Sequence, residues 1–191
     1  MREIEEYSGY LERFATSFDL ETRLPSRVHR QRYRNFVACD FDWAMSAAFW
    51  ASLRQMVEQS GGKGLFGVLD PDPIAYFHKE FGDCPFFELD SHRTEADYWD
   101  ALARAPVDSP ADAPLYNSEV VVWVPFSTDW AIWGQRSCGI CVLGTLGEPI
   151  VEVGQNWHPL HMVDDALLRR KVEYGDITLE CAEALSASYN G

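Results

Sequence analysis

Val120-Val121-Val122-Trp123-Val124-Pro125 is followed, after a short polar break, by Trp130-Ala131-Ile132-Trp133-Gly134-Gln135-Arg136-Ser137-Cys138-Gly139-Ile140-Cys141-Val142-Leu143-Gly144. The first run is apolar at consecutive positions, short, and rich in β-branched residues. It reads as a central strand buried on both faces. The runs 130–133 and 138–143 flank Gly134-Gln135-Arg136-Ser137, a hairpin signal. Trp130 and Trp133 are three apart, and side chains three apart on a strand point to opposite faces. An antiparallel sheet in the second half of the chain follows from these residues alone.

Working outward, Leu65–Leu69 and Pro85–Leu89 read as further strands, and residues 150–153 as an edge. Asp70-Pro71-Asp72-Pro73 is a rigid turn, because each Pro fixes φ and biases the residue before it away from helix. Ile4, Tyr7, Leu11, Phe14 and Phe18 share one helical face. A second helix, capped by Asp40 or Asp42, is expected to run to Gln59 and end at Gly61-Gly62; it is apolar all round and therefore buried. Ile74–Phe81 predicts a short helix stopped by Gly82. Thr94-Glu95-Ala96-Asp97 resembles a capping box opening a helix that ends before Pro106. Residues 162–174 and 177–188 predict two C-terminal helices separated at Gly175. The loop 106–114 is too short and too central to divide the chain. The expectation is one α+β domain over residues 1–191: a mostly antiparallel sheet with helices packed on one face, among them N- and C-terminal helices.

The chain has 191 residues, 47% of them hydrophobic and 14% aromatic, which excludes disordered and low-complexity classes. A chain of this length buries about 70% of its unfolded surface, so a core needs neither disulfide nor metal to hold it. Sixteen Lys and Arg face thirty Asp and Glu, for a net charge of −14. That sign opposes general nucleic-acid binding and suits a basic partner or plain solubility. Residues 64–131 hold thirteen acids but only Lys79, Arg93 and Arg104 as bases. Acids at the start replace the bases of a signal peptide, and no apolar run is long enough to span a membrane. Five irregularly spaced cysteines point to reduced thiols, and the expected location is cytoplasmic.

Three constellations carry candidate chemistry. The Asp70–Asp100 loop acids, with Asp70, Asp72 and Asp90 foremost, make an acidic surface; Trp130 and Arg136 are of the residue types that anchor interfaces. His158-Pro159-Leu160-His161 with Asp164 and Asp165 is the best metal-like or acid–base cluster: were Pro159 the first helical residue, His161 and Asp164 or Asp165 would share a helical face. Residues 22–39 contain no acid but hold Arg23, Arg27, Arg30, Arg32, Arg34 and His29. This strip reads either as an internally paired stretch or as an anion site. Cys138-Gly139-Ile140-Cys141 lies on a strand, where its sulfurs diverge, so it is expected to be neither a redox motif nor a zinc site. No G-x-S-x-G elbow marks a hydrolase nucleophile, and no cofactor is indicated.

The segment Ser127-x-Asp129-Trp130-Ala131-Ile132-Trp133-Gly134-x-Arg136, leading into Cys138–Gly144 after a strand that ends in Pro125, resembles a pattern in small bacterial proteins. Some of those are similar to the acidic immunity proteins of polymorphic toxin systems. The resemblance implies a cytosolic inhibitor or binding module without enzymatic activity; with the acidic charge, the leading expectation is an immunity-like inhibitor whose surface captures a basic protein, such as a toxin. The rival expectations are a small enzyme or metal protein built on His158, His161 and a carboxylate, and an anion-binding regulator built on the Arg23–Arg34 strip.

Overall fold

The structure is a computed structural model that describes residues 2–148, 150–160 and 166–190. Its strands are β1 (Asn35–Asp40), β2 (Lys63–Asp70), β3 (Phe86–Asp90), β4 (Val120–Pro125), β5 (Trp130–Gln135), β6 (Ile140–Thr145) and β7 (His158–Pro159). They form one sheet in the order β3-β2-β4-β5-β6-β1-β7, with every neighbouring pair antiparallel. The helices are α1 (Arg2–Ser17), α2 (Phe41–Ala44), α3 (Trp50–Gln59), α4 (Lys79–Phe81), α5 (Glu95–Ala103), α6 (Ala166–Glu173) and α7 (Leu179–Tyr189). This is the single α+β domain expected.

Every residue of β4, β5 and β6 is buried, so the sheet has no wet face in its middle. Helices therefore lie on both faces, where the sequence predicted them on one. Val120, Val122, Val124 and Trp133 face a core shared with Phe14 and Phe18 of the N-terminal segment, Leu167 and Leu168 of α6 and Leu185 of α7. Val121, Trp123, Trp130 and Ile132 face Phe41, Phe49, Leu53 and Met56, together with Tyr98 and Leu102 of α5. The period-two alternation read from the sequence is what divides these two cores.

Three elements differ from expectation. The helix predicted to run unbroken to Gln59 is interrupted: Asp40 caps α2, Ser46 is extended, and α3 starts at Trp50. The Ser46 hydroxyl donates to the Trp43 carbonyl at 2.7 Å, a local bond that competes with helix continuation. Residues 150–153 form no strand; Val153 makes only an isolated bridge to Trp157, and the sheet edge is β7, paired with Val37 and Ala38. Over residues 74–81 the expected helix is a π-helical turn, Pro73–His78, running into α4 and stopped by left-handed Gly82.

Gly67 of β2 marks the closest approach of α1 to the sheet. A Cβ at that position would lie 2.7 Å from a ring carbon of Phe14 and 2.8 Å from Phe86. The missing side chain is what lets the α1 aromatics reach β2.

Candidate functional site

The residues nominated from sequence fall into different environments. Trp130 is 1% exposed; its indole N–H donates to Ser60 Oγ at 2.9 Å and to the Met56 carbonyl at 3.3 Å. α3 covers it, so it belongs to the core and not to a contact surface. Arg136 is half-buried over the Phe41 ring, and its guanidinium donates to the carbonyls of Leu115 and Ser118. It ties the loop before β4 to the β5–β6 turn, which corrects its nomination as an interface anchor.

The three acids have local duties as well. Asp70 pairs with Arg23 at 3.6 Å, Asp72 accepts from the amides of Ile74 and Ala75, and Asp90 accepts from the His92 amide. Asp90 lies opposite Lys63 at the start of β2 and Asp70 ends that strand, so the structure does not bring the three together. His158 lies in β7, so Pro159 does not open a helix and the helical-face argument for the His158 cluster does not hold. His161, Asp164 and Asp165 lie outside the described residues. Among the described residues, no three His, Cys, Asp or Glu side chains converge in a metal-holding arrangement.

Four arginines of the strip are tied to the main chain, although Arg30, Arg32 and Arg34 remain exposed. Arg23 donates to the carbonyls of Leu20 and Thr22, Arg27 to that of Tyr33, Arg30 to that of Ala15 and Arg32 to that of Thr128. Within the strip, His29 is wholly buried; its ring contacts the Ala131 carbonyl at 3.1 Å and the Tyr189 hydroxyl at 3.3 Å. Burial pushes its pKa down to about 3, because no anion repays the desolvation of a charged ring.

Cys138 closes the β5–β6 turn instead of lying on the strand with Cys141, and the two belong to opposite cores, so their sulfurs do diverge. Desolvation raises the Cys84 thiol to about 12 and the Cys138 thiol to about 11. Both are held in the protonated, poorly nucleophilic form.

A site that no sequence motif announced lies at the β3 edge of the sheet. A cleft of about 420 Å³ runs between β3 and α5, with Phe86 to Leu89 along one side. The Thr94 capping box, with Asp97 as its reciprocal partner, starts α5 just after β3 and holds it alongside. Tyr98 and Ala101 line the helix side, and Trp50 stacks on Tyr98 at 5.6 Å. Arg104 is bound to Asp83, and Arg93 pairs with Asp97 at 3.9 Å. Glu88, which accepts from the Tyr10 hydroxyl at 3.5 Å, and Asp100 are the cleft acids without an ion pair among the described residues. The arrangement suits binding: an apolar floor, negative rim and strand edge, without a nucleophile paired to a base. Two adjacent signals in the sequence, a strand and a capping box, foreshadowed it, but nothing fixed β3 as the edge.

No protein-family model, curated protein or solved structure matches the chain.

Proposed function

We propose that this is a non-enzymatic binding protein that captures a basic protein on its acidic face, as an immunity-type inhibitor occludes a toxin. One observation carries the reading. Between residues 70 and 100, Asp72, Glu80, Asp83, Glu88, Glu95, Asp97 and Asp100 are exposed, against Lys79 and Arg93 as exposed bases. Arg13, Arg23, Arg27, Arg30, Arg32 and Arg136 donate to main-chain carbonyls, and Lys171 is buried between Asp40 and Asp176. Bonds to carbonyls hold those guanidiniums in place but leave their charge, which the net −14 already includes. Carboxylates around the cleft, Glu88 and Asp100 among them, steer encounter, and the apolar cleft floor supplies the contact that lasts.

The test is kinetic. Association with the partner recovered by affinity capture should slow about tenfold or more from low to physiological salt. Asp100→Lys should slow it further without lowering the melting temperature, since Asp100 is an exposed mid-helix residue of α5. An on-rate indifferent to salt, or an acidic partner, would sink the proposal. No described helix is long and apolar enough to cross a membrane.

A further inference from the structure

We infer that the free edge of β3 is a strand-addition site, where an extended segment of a basic protein lies along Phe86–Asp90 and continues the sheet. The inference rests on the acidic-capture reading and specifies how the captured protein is held. Val68 N–H donates to the Pro85 carbonyl and Ser91 N–H to the Gly62 carbonyl, which sets the ladder between β2 and β3. With Phe66 opposite Phe87 and Gly64 opposite Leu89, residues 85, 87, 89 and 91 turn their peptide groups to β2. Residues 86, 88 and 90 therefore turn theirs outward.

Of these outward groups, Phe86 N–H already donates to Cys84 and the Asp90 carbonyl accepts from Arg93. The Phe86 carbonyl, both groups of Glu88 and the Asp90 N–H remain directed at the cleft edge. Exposed ladder groups are what an added strand recognises, and pockets for alternate side chains set its sequence.

The side chains define the occupant. Phe87 and Leu89 pack on the α3–α5 side, whereas Glu88 lies on the opposite side near Tyr10. An incoming strand thus meets an apolar floor at one set of alternate positions and a carboxylate at the other. The matching segment alternates small apolar residues with Lys or Arg. A second copy of this chain fits poorly: pairing through all the outward groups sets Glu88 directly opposite Glu88, and like charges opposed across strands repel. Each copy also carries −14.

The experiment uses the full chain and a synthetic peptide of alternating Lys and Val, titrated at low ionic strength and followed by the protein's amide resonances. Two further peptides are N-methylated, one on each set of alternate residues. Binding should shift the Glu88 and Asp90 amides and slow their exchange with solvent. One N-methylated peptide should bind at least about tenfold more weakly and the other about as well as the parent, because an added strand bonds through one edge only. Glu88→Pro should abolish binding and leave the β2 ladder intact, since the N–H it removes points away from β2; a melting curve checks the fold. Equal binding of both N-methylated peptides overturns strand addition but leaves salt-dependent capture standing. Absence of peptide binding overturns it too, as does a dimer of the chain that Glu88→Pro dissolves. Salt-independent association with the recovered partner, by contrast, removes the capture reading itself.

Discussion

His29 and Lys171 show how differently this protein treats two buried bases. His29 is held neutral with a pKa of about 3, against about 6.5 in an unfolded chain. Below pH 6.5 the unfolded state binds a proton that the folded state refuses, so stability is full above that pH and drains away as pH falls toward 3. From pH 7 to pH 5 the loss is about 2 kcal/mol, to be read from urea titrations. His29→Gln should be less stable at pH 7 yet lack that slope. Lys171, with Nζ at 2.9 Å from Asp40 and 3.2 Å from Asp176, is the opposite case. Burial alone would lower its pKa, but the hydrogen bonds and charges of the two carboxylates outweigh that and raise it. The pair's contribution is complete below the unfolded lysine value and is lost as pH climbs through the folded one. Lys171→Met should cost about 2 to 3 kcal/mol by stranding Asp40. Arg170→Met, which removes an exposed guanidinium 3.8 Å from the same carboxylate, should cost under about 0.5 kcal/mol. Neither pairing was legible in the sequence, where Asp40 reads only as a helix cap and Lys171 only as a helix-face cation.

At the scale of elements, the sequence was most legible where a period and a cap coincided. The spacing of Phe14 and Phe18 placed α1, and Thr94 with Asp97 placed α5. The alternation of Trp130 and Trp133 assigned each ring to its own face. What alternation does not reveal is the cover on each face. Trp130 was therefore nominated for a surface that α3 in fact occupies, and helices expected on one face lie on both. The interruption at Ser46 was hidden because a side-chain bond to Trp43 looks, in sequence, like one more residue of an apolar helix. Gly67→Ala should push Phe14 and Phe86 apart and cost about 1 to 3 kcal/mol in chemical denaturation. Thr94→Ala should cost about 1 kcal/mol and, by loosening the wall of the β3 cleft, weaken peptide binding along with it.

Across the whole molecule, composition and net charge indicated an acidic globular domain, but not which arginines are tied to the main chain. That information lives in contacts such as Arg32 with Thr128 and Arg136 with Ser118, between residues far apart in the chain. The sheet order has the same long-range character. β1 is the first strand in the chain, yet its six residues pair with Ile140–Thr145 and with β7. During synthesis at about 5 to 20 residues per second, β1 leaves the ribosome many seconds before β6 exists to receive it. Meanwhile the apolar groups of Val37, Ala38 and Cys39 wait without their partners. A cell making this protein must shelter that segment until residues 140–145 have been read, and a ribosome stalled before Ile140 would hold a chain whose β1 has nowhere to go.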